Sequence, residues 1–112
     1  MSGSGGPLAQ RYSGLVCDLD GVVYRGRSPV AYAVQVLGQV GLPRQYATNN
    51  ASRPPSAVAE HLSSLGLDCS VGDVATSAQA GASLLRERLG PGAAVLGVGG
   101  PGVGEALTDA GL

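Results

Sequence analysis

The sequence contains no lysine, no phenylalanine and no tryptophan, and it has a single histidine. Every basic residue is an arginine: Arg11, Arg25, Arg27, Arg44, Arg53, Arg86 and Arg88. With Phe and Trp absent, the core must come from Val, Leu and Ala. Charge is scarce, at 13% of residues and a formal net charge of −1. That balance excludes a disordered polyelectrolyte and a general nucleic-acid coat protein. No window reaches the apolar length a membrane span needs, and no charged n-region followed by an apolar h-region opens the chain, so a cytoplasmic location is expected. The two cysteines, Cys17 and Cys69, lack any Cys-x-x-Cys spacing, which argues for reduced thiols over a disulfide framework or a zinc site. The length of 112 residues with 44% hydrophobic content suits one domain, or a piece of one.

What is present has an order. Met1 to Gly6 is a Ser/Gly run that can bury nothing, so residues 1–11 read as a flexible lead-in and 12–112 as the folded core. Leu15, Val16 and Cys17 make a short apolar run ending in Asp18, the pattern of a strand buried on both faces. Ser28 and Pro29 resemble an N-cap and N1 pair ahead of a helix carrying Val30, Ala33, Val34 and Leu37 that stops at Gly41. A strand follows at Gln45 to Ala47, then a helix from about Pro55 with the stripe Val58, Leu62, Leu65, ending at Gly66. A brief strand at Val74 and Ala75 precedes a helix capped by Ser77 and closed by Gly90, and Ala94 to Val98 is expected to be a fourth strand. Alternating strands and helices predict an α/β architecture: a parallel, Rossmann-like sheet with flanking helices. Three helices end in the same pair, Gly41-Leu42, Gly66-Leu67 and Gly111-Leu112, and a strand follows the first two. After the third this grammar calls for another strand, so the sheet is expected to be incomplete and the sequence to be an N-terminal portion of a longer α/β protein.

Chemistry concentrates at two strand ends. Asp18 and Asp20 flank Leu19 at the carboxyl end of the first strand, where open α/β sheets put their ligands, with Gly21 next to turn the chain. Two carboxylates this close favour a cation between them, and oxygen-only ligation suits Mg²⁺. One of them could then attack phosphorus while the other delivers a proton. The competing reading is an ordinary Asp-Gly turn. Thr48, Asn49 and Asn50 close the second strand and offer a neutral cradle for phosphate oxygens, or else an Asn-rich capping turn. Between Gly21 and Ala59 there are four arginines, Arg25, Arg27, Arg44 and Arg53, and no acid. Their field could draw phosphorylated substrates towards Asp18, although each one alone reads as a solvated loop charge. His61 has no second ligand at helical spacing and is expected at a surface or boundary.

Asp18-Leu19-Asp20-Gly21-Val22-Val23-Tyr24, Tyr46-Ala47-Thr48-Asn49-Asn50-Ala51-Ser52-Arg53 and Thr76-Ser77-Ala78-Gln79-Ala80 together resemble the N-terminal half of haloacid dehalogenase superfamily phosphatases of the NagD-like, class IIA branch. The resemblance covers roughly residues 12–112. It implies a Mg²⁺-dependent phosphomonoester hydrolase acting on a small phosphorylated metabolite through an aspartyl-phosphate intermediate. Asp18 would be the nucleophile and a Mg²⁺ ligand. Asp20 would be the general acid/base, lending its backbone carbonyl to the same ion. Thr48 would bind phosphate, with Asn49 and Asn50 helping to seat it.

Three departures accompany the resemblance. The family's later lysine and later acidic motif are absent from this sequence, and its cap domain would enter after about Leu112. Gly72-Asp73 imitates the start of the acidic motif, but no second acid stands at Ser77, so it reads as a loop turn. The 112 residues alone are therefore expected to be nearly inactive. A different class remains open as an alternative: Gly97, Gly99 and Gly102 have dinucleotide-binding spacing, which would suit a noncatalytic nucleotide-binding or interaction module on a Rossmann-like half-sheet. A structural turn is the simpler reading of that string.

Overall fold

The computed structural model describes residues 9–112. The lead-in expected over Met1 to Gly6 lies outside them, and Ala9–Arg11 form a 3-10 turn. Three strands make a parallel sheet: β1 (Leu15–Asp18), β4 (Arg44–Thr48) and β5 (Val74–Thr76), in the order β1-β4-β5. A two-stranded antiparallel hairpin, β2 (Tyr24–Arg25) and β3 (Ser28–Pro29), stands apart from it. The helices are α1 (Ala33–Gln39), α2 (Pro55–Ser64), α3 (Ser77–Leu89) and α4 (Pro101–Asp109).

The core gathers Cys17, Leu19, Val23, Tyr24, Tyr46, Val58, Ala59, Leu62, Leu67 and Val74. Two tyrosines thus join the expected aliphatic residues. On α2 the positions Val58, Ala59 and Leu62 are buried at helical spacing, as the apolar stripe predicts. Gly66, in the left-handed region at φ 101°, ends that helix: its N–H donates to Ser63 O at 3.0 Å and the Leu67 N–H to Leu62 O at 3.1 Å. Gly111-Leu112 close α4 with the same pair of bonds, to Thr108 O and Leu107 O.

Four expectations are corrected. Val16 is 75% exposed, so β1 is buried on one face only and alternates along its length. Ser28-Pro29 do not start a helix. They pair with β2, and the Val30 N–H extends the ladder to Val23 O, because a proline that cannot donate suits a two-residue edge strand as well as a first helical turn. Gly41 is not among the left-handed glycines; α1 ends at Gln39, and the Arg44 guanidinium takes the Leu37 and Val40 carbonyls that a glycine cap would have served. Ala94 to Val98 pairs with no strand among the described residues. Val95 to Val98 border α3 and α4, with Leu96 and Val98 still 87% and 82% exposed, so the neighbours of this segment are helices and not a ladder.

Candidate functional site

Parallel pairing decides which chain segments meet. Asp18 is registered against Ala47, and Thr48 against Thr76, so the carboxyl ends of β1, β4 and β5 lie side by side. Asp18 and Thr48, 30 residues apart in sequence, come to one edge of the sheet, with Asn49 and Asn50 continuing directly from it.

At the end of β1, period-2 alternation separates structure from chemistry. Cys17 and Leu19 point into the core, Leu19 with no exposure at all, while Asp18 and Asp20 are exposed. The buried Leu19 is also the pivot of the turn, since its carbonyl accepts from the Val22, Val23 and Tyr24 amides at 3.0, 2.9 and 3.3 Å. Gly21, at φ 80°, supplies the left-handed residue this winding requires and donates its N–H to Tyr24 O at 2.8 Å. One Asp18 oxygen, Oδ1, accepts the Leu19 N–H at 2.9 Å, which orients the carboxylate and leaves its second oxygen without a hydrogen-bond partner among the described residues. The pair is therefore held on a rigid turn anchored in the core.

Thr48 is buried, and its Oγ1 accepts the Asn50 N–H at 3.1 Å. A hydroxyl that accepts still has its own proton to donate. Asn50 Oδ1 accepts from Ser52 N at 3.1 Å and Ser52 Oγ at 2.6 Å, an Asx turn whose amide nitrogen has no hydrogen-bond partner among the described residues. Asn49 is fixed through its main chain, where Ser77 Oγ donates to its carbonyl at 3.1 Å. Sequence reasoning expected Ser77 to cap α3. The cap is instead Thr76, in a reciprocal box with Gln79, which frees Ser77 to brace the loop.

The arginines divide. Arg44 is registered beside Leu15 at the opposite end of the strands and is occupied in capping α1, so it contributes nothing to the Asp18 edge. Arg53 Nη2 lies 3.3 Å from His61 Nδ1, and the His61 ring packs on Tyr24 with centroids 4.5 Å apart. Burial pushes the Tyr24 hydroxyl pKa up; Arg53 opposes this, and Asp20 and Asp18 add to it. Half-buried His61 is the boundary residue expected.

The glycine string packs against protein. The Gly102 N–H donates to Ser52 O at 2.9 Å. A Cβ at Gly102 would stand 2.5 Å from Ala51 O and 2.7 Å from Arg53 main-chain atoms. This is the close approach of α4 to the loop after β4, and it fixes the main chain that carries Ser52 and Arg53.

The donor set suits Mg²⁺ in kind. Asp18 and Asp20 offer hard oxygen ligands, and no group of three or more His, Cys, Asp or Glu gathers among the described residues. A magnesium site commonly takes one or two carboxylates and completes its shell with water and substrate phosphate, whereas a structural zinc site wants four N or S ligands. Cys17 and Cys69 are free, and burial raises both thiol pKa values.

A family model described as haloacid dehalogenase-like hydrolase matches residues 15–112. D-glycerol 3-phosphate phosphatase of Mycobacterium tuberculosis is 46% identical over 105 residues, covering 94% of this chain and 30% of that protein. Acid sugar phosphatase of Staphylococcus aureus is 38% identical over 106 residues, covering 92% and 40%. Among solved structures, the M. tuberculosis glycerol phosphate phosphatase in complex with magnesium superposes with a TM-score of 0.87 at 45% identity, over 93% of this chain and 32% of its own. NagD from E. coli gives 0.73 at 31% identity, over 88% and 40%. The chain thus spans well under half the length of the curated relatives it matches.

Proposed function

We propose that this chain, which belongs to the haloacid dehalogenase-like hydrolases, carries the nucleophile and phosphate-binding half of a phosphomonoester hydrolase acting on a small phosphorylated metabolite. The observation that carries the reading is the register of Asp18 against Ala47, which brings the paired carboxylates and the Thr48-Asn49-Asn50 turn to one strand end. The phosphatases among its relatives support it. A cytoplasmic location, the expectation from the sequence, is kept in this reading.

In this reading the Asp18 oxygen not bonded to Leu19 attacks phosphorus, and the bond to the ester oxygen breaks as Asp20 gives that oxygen its proton. An aspartyl phosphate on Asp18 and a free alcohol result. Asp20, now a carboxylate, takes a proton from water as the water attacks the same phosphorus, releasing inorganic phosphate and restoring Asp18. The Thr48 hydroxyl and the Asn50 amide nitrogen donate to the phosphoryl oxygens. Asp18 through its carboxylate and Asp20 through its backbone carbonyl would hold Mg²⁺, which supplies charge neutralisation for the phosphoryl group when bound. Main-chain bracing by Leu19, Ser77 and Gly102 keeps these groups in position before substrate arrives.

Beryllium fluoride, a tetrahedral stand-in for a phosphoryl group on a carboxylate, tests the assignment. With Mg²⁺ present, ¹⁹F NMR should show a bound fluoride species on the chain that Asp18→Asn abolishes. A bound species that persists in Asp18→Asn would remove Asp18 from the role of nucleophile.

A further inference from the structure

The molecule has a second place suited to a small anion, beside the hairpin. A cleft of about 400 Å³ lies between the hairpin and α2, lined by Arg27, Arg53, Ala57, Glu60, His61 and Ser64. Neither Asp18, Asp20, Thr48, Asn49 nor Asn50 borders it. We propose that this cleft is an oxyanion-binding site, taking the phosphate or carboxylate group of a small metabolite independently of the Asp18 edge.

The helix supplies one wall. Ala57, Glu60, His61 and Ser64 are spaced i, i+3, i+4 and i+7, so they share the face of α2 beside its buried stripe. Ala57 and Ser64 are small and leave space. The hairpin supplies the other wall: Gly26, at φ 59°, turns β2 back into β3 and leaves Arg27 exposed beside it at the tip.

Arg53 makes the cleft a prepared one. Its main chain is fixed by the close approach of Gly102, and its guanidinium meets His61 Nδ1 at 3.3 Å. An anchored guanidinium loses little freedom when an anion arrives. The contact also settles the tautomer of His61. A guanidinium can only donate, so Nδ1 is the acceptor and the ring proton sits on Nε2. That Nε2 has no hydrogen-bond partner among the described residues, which leaves an unmet donor on a ring that lines the cleft. Charge points the same way, since two guanidinium groups face one carboxylate, Glu60.

Inorganic phosphate and malonate, with chloride at matched ionic strength as control, would be titrated into the chain without Mg²⁺ and followed by NMR of the arginine and histidine side chains. Saturable shifts at Arg27, Arg53 and His61 Nε2–H are expected with phosphate or malonate and not with chloride, the stronger of the two naming the natural group. Arg27→Gln, at the exposed tip, should weaken binding roughly tenfold, and Glu60→Gln should tighten it. Arg53→Gln should do the same as Arg27→Gln, but its link to His61 makes it the less clean variant. Shifts confined to residues 48–50, shifts identical with chloride, or unchanged affinity in Arg27→Gln would each overturn the proposal. Binding at the cleft that survives in Asp18→Asn would stand even if the nucleophile assignment failed.

Discussion

Ser77 Oγ donates to the Asn49 carbonyl at 3.1 Å, joining the first turn of α3 to the loop that leaves β4 across 28 residues of sequence. The bond is exposed at both ends, so it does little for the core. Its consequence is local, because Asn49 sits between buried Thr48 and the Asx turn of Asn50. Ser77→Ala should leave the fold intact and cost about 1 kcal/mol or less, the usual net value of one exposed hydrogen bond. Amide exchange at Asn49 and Asn50 should quicken while that of α2 stays unchanged. Equal exchange rates in the two proteins would show that the loop is held by its own turn alone.

Asp20 is assigned proton transfer and Asp18 bond formation, and the two roles separate on substitution. Asp20→Asn keeps the nucleophile and removes the acid, so turnover should fall by on the order of 10² to 10⁴. Because the loss is of leaving-group protonation, esters of acidic phenols should be affected least. Comparing an alkyl with a nitrophenyl phosphate checks this, and an equal loss on both would reassign Asp20 to a purely electrostatic part.

Gly102 is the position where α4 touches the loop after β4 most closely. The atoms a Cβ would meet are main-chain atoms of Ala51 and Arg53, which cannot swing aside as a side chain can. Gly102→Ala should therefore cost about 1–3 kcal/mol, the range for overpacking. Gly104→Ala, on the same helix with nothing within 4 Å of the new Cβ, should be neutral or slightly stabilising. A pair of thermal melts decides the matter. Equal melting points would mean that α4 moves off the loop without cost.

The contrast between these glycines shows what the sequence makes legible. Motif spacing reveals Asp18-Leu19-Asp20 because alternation is local: every second residue of a strand faces the same way, whatever lies across from it. Gly66-Leu67 is readable for the same reason, as its hydrogen bonds stay within six residues. The Ser28-Pro29 signal misleads because hairpin partners three and five residues back outcompete a helix start. Arg44 replaces Gly41 as the cap of α1, and no pattern in the residues announces which arginine will fold back on a carbonyl. Ala94 to Val98 has the composition of a strand, but whether a strand forms depends on a neighbour to pair with, a tertiary fact. The place of Thr48 at a strand end is readable from the sequence, whereas the braces Ser77 and Gly102 depend on contacts 28 and 50 residues away in the chain.

Asp73 offers a pH-dependent check on the turn before β5. Its carboxylate accepts the Ser70 N–H and the Ser70 hydroxyl, both at 3.0 Å, and these bonds, the main-chain one first, hold its pKa below the ordinary carboxylate value. The folded value lies under the unfolded one, so the stabilisation is complete above the unfolded carboxylate range and disappears as pH falls through the folded value. Ser70→Ala removes the side-chain bond and should move the Asp73 midpoint upward, though not fully to the ordinary value, because the main-chain bond remains. A carboxyl ¹³C titration reads the midpoint directly. No movement would assign the whole depression to the main chain.

The absence of lysine bears on how fast the 112 residues can turn over substrate by themselves. In phosphoryl transfer the protein mostly supplies positioning and charge stabilisation, and the electrostatic part is usually the larger. Positioning is present at the Asp18 edge, through Leu19, Thr48 and Ser77. No salt bridge to Asp18 or Asp20 is formed by the arginines placed above. Arg44 is at the other end of the strands, and Arg27 and Arg53 line the cleft between the hairpin and α2. A phosphate dianion approaching the Asp18 carboxylate would thus meet like charge with Mg²⁺ as its main relief. The chain alone is expected to release phosphate orders of magnitude more slowly than the mycobacterial glycerol phosphate phosphatase, with the residual rate dependent on Mg²⁺ and lost in Asp18→Asn. Exposed Val16, Leu96 and Val98, with β1 at an edge of the sheet, should also make it self-associate as concentration rises. Phosphate release and sedimentation measured on the same preparation test both halves. Rapid Mg²⁺-dependent turnover by a monomer would show that the Asp18 edge needs no further cation, and the electrostatic account of this site would have to be abandoned.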